Sequence, residues 1–300
     1  MKRKAIQLAK QTIVVSLPAN WVKENKINKG DEINIEDKGR ELILSKDSIV
    51  ETRKIEIDIR GLKNALYRVV GALYKSGYSE ITFIYESPQE LDIIQKTIRR
   101  SLTGFEVIEQ SKNTIIVKEI SRLESIEFNR VLKKCFQSLI AIGEESLEGI
   151  KESDADRIAK VALMDDTINR YCDFCRRVLN TKQDIQKKAM NYFIAEQLEK
   201  IGDMYRDLCR YMEKKPFNVS KEILEIYKDI NKFFHDFYEI FYNFNLKKID
   251  DFISEKEKIK KKINNCLNTI SKKEILIMLY LSNILESTYD MNGVLLTMVL

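Results

Sequence analysis

Glu199 and Asp203 stand four residues apart, and Glu286 and Asp290 repeat that spacing near the end of the chain. The two surrounding stretches, Ile194 to Met204 and Leu281 to Met291, superpose as a repeat. Leu198 falls on Leu285, Glu199 on Glu286, Asp203 on Asp290, Met204 on Met291 and, further on, Leu208 on Leu295. Asp165 and Asn169 offer a third pair of oxygen donors at the same spacing. On a helix, residues four apart lie one turn above each other. Two carboxylates so placed repel, and a shared cation turns repulsion into coordination. An all-oxygen set suits hard ions such as Mg²⁺, Ca²⁺ or Mn²⁺. Lys200 and the lysines from Lys256 to Lys262 supply a competing chemistry, because ammonium groups neutralise carboxylates without metal. The acids then read as salt bridges on a solvated face.

A second constellation is basic. Lys2, Arg3, Lys4 and Lys10 precede or surround the first turn, with Lys23 and Arg40 further on. Residues 1–50 hold ten Lys/Arg against seven Asp/Glu, and the whole chain carries a net charge of +5. That local excess suits a phosphate-bearing partner such as DNA without making the whole protein basic.

Other reactive residues point to no catalysis. Cys172-Asp173-Phe174-Cys175 has no second pair to complete a zinc ribbon, and both thiols fall on the apolar face of a helical pattern with Ile158, Val161, Ile168 and Leu179. His235 is the one histidine in the sequence. It cannot supply the two Glu-x-x-His motifs of a di-iron bundle, and no orienting acid stands at an evident spacing for nucleophilic catalysis. The chain is predicted not to be an enzyme. Five scattered cysteines, no signal-peptide pattern and no apolar run long enough to span a bilayer predict a soluble cytoplasmic protein.

The elements that must position these residues change character along the chain. Residues 1–50 alternate as short strands with tight connections: Thr12 to Leu17 stopped by Pro18, a helical turn or two over Asn20 to Asn25, the turn Lys29-Gly30-Asp31, and strands over Glu32 to Glu36 and Glu41 to Leu44. So short a β segment needs a partner chain to bury a core. Residues 51–120 read as βαβαββ. Strands run over Lys54 to Ile59 and Ile81 to Tyr85, helices over Leu62 to Lys75 and Pro88 to Leu102, and a hairpin over Gly104 to Glu109 and Thr114 to Val117. From Ser121 onward the spacing predicts helices near 124–151, 154–180, 182–213, 220–245, 246–268 and 272–298. Lys215-Pro216-Phe217 divides these into two sets of three, with Ser220 as a cap. The aromatic run Phe233 to Phe244 suits a bundle core or a partner surface. The expected fold class is multidomain α+β.

Two family resemblances follow from these residues. Val15-Ser16-Leu17-Pro18-x-x-Trp21-Val22 and Gly30-Asp31-Glu32-Ile33 resemble the AbrB/MazE/SpoVT swapped-hairpin family, with Ala9-Lys10-Gln11 in place of the usual glycine turn. That resemblance implies a domain over 1–50 that dimerises by interleaving hairpins and binds DNA through Lys2, Arg3, Lys4, Lys10, Lys23 and Arg40, or one that only dimerises. Leu198-Glu199-Lys200-Ile201-Gly202-Asp203, its copy Leu285-Glu286-x-x-x-Asp290, and Asp165-Asp166-Thr167-Ile168-Asn169 resemble the acidic signatures of PhoU-type proteins. The arrangement as a whole resembles archaeal-type PhoU-related phosphate uptake regulators, with a mixed α/β linker at 51–120 and three-helix repeats at 121–215 and 216–300. It implies divalent, iron or zinc ions on Asp165, Asn169, Glu199, Asp203, Glu286 and Asp290. Its other implied partners are DNA, a second copy of the chain, and a phosphate ABC transporter or signalling protein. The alternative from another class is a dimeric adaptor that does not bind DNA and regulates the transporter through its helices.

Overall fold

The computed structural model describes residues 2–9, 11–37, 39, 42–46, 53–121, 125–182 and 185–300, in two compact units, Met1–Thr52 and Arg53–Leu300.

In the first unit β1 (Ala5–Ala9) pairs antiparallel with β2 (Thr12–Val15), and β3 (Asn34–Asp37) with β4 (Leu42–Ser45). Strand β2 stops at Val15, short of the expected Leu17, as the chain turns into Pro18 and the short helix α1 (Ala19–Glu24). Gly30 takes φ +95°, a conformation that side chains beyond glycine resist. The adjoining Asp31 carboxylate closes this turn by accepting from the Asn28 N–H at 2.9 Å and pairing with the Lys46 ammonium at 2.7 Å. No described side chain of this unit is buried. Leu8, Ile13, Ile35 and Leu42 are 73%, 69%, 63% and 64% exposed. Among the described residues, one copy of the chain gives these apolar side chains nothing that buries them.

The second unit begins with the βαβαββ layer. Its sheet has the order β5-β6-β8-β7, with β5 (Lys54–Asp58) parallel to β6 (Glu80–Ile84), and β8 (Thr114–Glu119) antiparallel to both β6 and the edge strand β7 (Phe105–Gln110). Helices α2 (Leu66–Lys75) and α3 (Pro88–Ser101) cover one face over Ile59, Val70, Ile81, Phe83, Ile94 and Val117. Helix α2 starts four residues later than its periodicity suggests, because residues before it form a turn at Gly61, φ +75°. Glu90 fixes that turn. Its carboxylate accepts from Gly61 N–H at 2.7 Å while completing a capping box with Ser87 at the start of α3.

Six helices follow: α4 (Ser125–Glu152), α5 (Ala155–Thr181), α6 (Lys188–Lys214), α7 (Lys221–Tyr242), α8 (Leu246–Cys266) and α9 (Ile275–Val299). Their apolar stripes merge into one continuous core, with α6 packed on α9 and α4 on α7 between the two sets of three. The aromatic run of α7 belongs to that core. Phe136 of α4 lies 5.9 Å from Phe234 and 5.2 Å from Phe241, and Phe233 stacks on Phe252 of α8 at 4.0 Å. Cys172 and Cys175 are buried in it as small apolar groups, with the Cys172 sulfur 3.5 Å from that of Cys135. Helices α2 and α3 also pack on α5, so the α/β layer covers one side of the first set of helices.

Ser220 occupies the N-cap of α7 but makes no cap hydrogen bond through its side chain. Its own backbone N–H is held instead from the far end of the same set. Glu274, just before α9, accepts from Ser220 N–H at 2.8 Å and from Ser271 N–H and Oγ at 3.0 and 2.7 Å. Burial alone would raise this carboxyl, but those donors hold it at about 2 against an ordinary value of 4.5. Its folded pKa lies below the unfolded one, so the stabilisation is present above pH 4.5 and is lost as pH falls toward 2. The shift corresponds to about 3 kcal/mol. Glu274→Gln is expected to lose about 1–3 kcal/mol at pH 7 and to match the parent near pH 2 in urea melts. A constant difference across that pH range would refute the assignment.

Candidate functional site

The basic arm of the first unit lies at the strand that opens it. Lys2, Arg3 and Lys4 precede β1, and Lys23 sits in the last turn of α1. All four are exposed and make no ion pair with a described residue. Lys10 and Arg40 lie outside the described residues. Free cations beside two hairpins with bare apolar faces form a surface that can meet phosphate and a second chain at once.

This geometry agrees with a family match. Residues 6–51 match the family described as antidote-toxin recognition MazE, bacterial antitoxin. The N-terminal unit is MazE/AbrB-like. No curated protein matches the chain.

The second constellation lies in the other unit, well apart in sequence from the MazE-like one. A cleft of about 700 Å³ opens between α2 and α3 on one side and α5 and α6 on the other. Its floor carries Asp165, Asp166, Asn169 and Asp173 from α5 with Glu199 and Asp203 from α6. Gly202 allows the two floor helices to approach, since a Cβ there would stand 3.0 Å from Ile168. Glu199 and Asp203 do lie off the buried stripe of Leu198, Ile201 and Tyr205, as their spacing predicts. They are only partly open to solvent, because α2 and α3 stand over that side, and Asp165 beside them is 5% exposed.

Arginine closes nearly every carboxylate in this cleft. The Arg206 guanidinium is 2.9 Å from Asp165 and 2.9 Å from Asp207, and it also pairs with Asp203. Arg176, itself buried, bridges Asp173 at 3.0 Å, Glu196 at 2.7 Å and Glu199. From the α/β layer, Arg100 holds Asp166 in a two-pronged contact, 2.6 and 3.0 Å, and Lys75 reaches Asp173 at 3.3 Å. Burial raises the carboxyl groups of Asp173 and Asp203, with Lys75 and Arg206 respectively opposing that rise. Two oxygens remain outside this network. Asn169 donates to Asp165 Oδ2 at 2.9 Å, which leaves Asp165 Oδ1 and Asn169 Oδ1 buried without a hydrogen-bond partner.

The second repeat answers the same charges with lysine. Lys256, 8% exposed, places its ammonium 2.9 Å from Glu286 and 3.7 Å from the Tyr289 ring centroid, and Lys260 stands 3.5 Å from Glu286. Burial opposes ionisation of Glu286, but the Lys256 hydrogen bond holds its carboxyl below the ordinary value. Asp290 is exposed and unpaired among the described residues.

These contacts decide how a metal could fit. In the second repeat an ammonium already stands where a cation would sit, so the donor set does not fit a metal. In the first repeat Asp165 Oδ1 and Asn169 Oδ1 are acceptors free to meet an ion, but Asp203 and Glu199 would join them only by releasing arginine. Among the described residues no group of three or more His, Cys, Asp or Glu side chains is arranged to hold one. Sequence reading named the acids and the lysines of the second repeat but missed Arg176, Arg206, Arg100 and Lys75. The Asp203–Arg206 spacing of three was a legible signal; the Arg100 contact, between residues 66 apart, was not.

Proposed function

We propose that this protein is a DNA-binding transcriptional regulator of phosphate uptake, homodimeric through its N-terminal unit. One observation carries the first half of that reading. The MazE-like unit presents two hairpins with exposed apolar faces and a basic arm, Lys2, Arg3 and Lys4, that leads into them and pairs with no described residue. A second copy would cover those faces, since two-stranded hairpins of this length are marginal alone. The phosphate assignment is supported by the resemblance of Leu198 to Asp203 and Leu285 to Asp290 to PhoU-type signatures. Six long helices in two packed sets of three are consistent with it. No described helix is long and apolar enough to cross a membrane. Sedimentation of the full chain with labelled duplex DNA tests the reading: a dimer that binds DNA with a steep salt dependence is expected. A monomer at micromolar concentration would overturn the dimeric assignment.

A dimer without DNA affinity would leave the adaptor reading, in which the helices contact a phosphate transporter. The groove between α4 and α7, walled by Ile140, Leu147 and Leu224, is the surface that favours it. In either reading, a hard divalent ion enters the first repeat by exchange for Arg206. Arg206→Gln is therefore expected to tighten Mn²⁺ binding by about tenfold or more in calorimetric titration, and Glu199→Gln with Asp203→Asn to abolish it. Equal metal content in all three proteins would remove metal from the account.

A further inference from the structure

The cleft of the first repeat holds features that the ion pairs leave unused. Asp165 and Asn169 line it, and each carries a buried Oδ1 acceptor without a donor. Arg210, one helical turn beyond Arg206, lines it too and makes no ion pair with a described residue. Across the cleft on α2, Tyr67 is 51% exposed, with the Arg68 guanidinium 5.4 Å from its ring. A Cβ added at Gly71, in the next turn, would meet nothing within 4 Å, so the wall beside Tyr67 is open.

We propose that this cleft binds a mononucleotide. Its floor carboxylates are already neutralised by guanidinium, so what the floor lacks is hydrogen-bond donors rather than positive charge. A ribose diol supplies donors to adjacent acceptors, and carboxylates commonly receive ribose hydroxyls. Arg210 and Arg68, neither of which makes an ion pair with a described residue, suit a phosphate group, which arginine binds in a two-pronged contact. Tyr67 offers a flat face on which a base stacks. A cleft of about 700 Å³ is of a size for such a ligand. A simple inorganic anion would use the arginines and leave the buried oxygens without donors. A metal ion would compete for the Asp165 oxygen, so the proposal is tested without one. It is also independent of DNA binding by the MazE-like unit.

The experiment is isothermal titration of the full chain in chelator with AMP, and in separate arms with GMP, ribose 5-phosphate and inorganic phosphate. A nucleotide is expected to bind, with ribose 5-phosphate weaker by about fivefold or more from the missing stack. Tyr67→Ala should lose a similar factor, and Arg210→Ala about tenfold. Both side chains are exposed, so neither change threatens the fold, and thermal melts of the unliganded variants check that. No binding of AMP or GMP up to about 5 mM would overturn the proposal. So would phosphate or ribose 5-phosphate binding as tightly as the nucleotide, or both variants binding like the parent.

Discussion

Arg177→Met is expected to cost about 3–5 kcal/mol and to loosen the α/β layer from the helices beneath it. Arg177 is 2% exposed, near the C-terminal end of α5. Its guanidinium donates to the carbonyls of Tyr74 and Tyr78 at 2.6 and 2.9 Å and pairs with Glu119 at 2.8 Å. It also lies against two rings, 5.0 Å from the Tyr74 centroid and 4.7 Å from that of Phe105. One side chain thus joins the end of α2, the approach to β6, the end of β8 and the start of β7. Methionine fills much of the volume, but it leaves the partly buried Glu119 carboxylate and the Tyr78 carbonyl without the donor they have here, and the Tyr74 carbonyl with the Gly77 N–H alone. The cost of breaking a buried pair exceeds that of never having built one. Nearby contacts limit how far the layer can separate: Asn180 donates to Lys75 O at 2.8 Å, and Arg100 still holds Asp166. Hydrogen exchange should show the amides of α2 and β6 opening before those of α4 and α6. A variant within about 1 kcal/mol of the parent, with unchanged protection in α2, would remove Arg177 from this role.

Replacing Lys2, Arg3 and Lys4 together with alanine should produce the largest change in DNA binding. The change removes three exposed cations per protomer and six per dimer. If each neutralises one phosphate, the log–log salt slope becomes shallower by about 5, at roughly 0.9 per contact. Affinity at physiological salt should fall by about a thousandfold or more. Circular dichroism and sedimentation should remain those of the parent, because these side chains make no ion pair with a described residue of the hairpins. An unchanged slope would move the DNA surface away from the arm. Loss of the dimer along with DNA binding would mean that the arm supports assembly instead.

The order of elements was legible because local periodicity records it. Alternation marks β5 and β6, and the spacing of Ile194, Leu198, Ile201, Tyr205 and Leu208 marks α6 and predicts which side is buried. The motif around Pro18 and Gly30 was specific enough to announce the MazE-like unit, since both residues constrain the backbone directly. Element ends were less legible where a long-range contact sets them. Ser220 caps α7 by position without a side-chain bond, and its own backbone N–H is held by Glu274 from the opposite end of its three-helix set.

What faces the carboxylates was decided only by tertiary structure. Sequence periodicity places Glu199 and Asp203 away from the bundle core, but it carries no information about a layer encoded a hundred residues earlier. The sheet order β5-β6-β8-β7 turns α2 and α3 toward α5, and only then do Arg100 and Lys75 meet Asp166 and Asp173. Charge pairs are readable from sequence when both members share a helix, as Asp203 and Arg206 do. When the members belong to different elements, their distance depends on how those elements pack, and helical spacing does not contain that quantity.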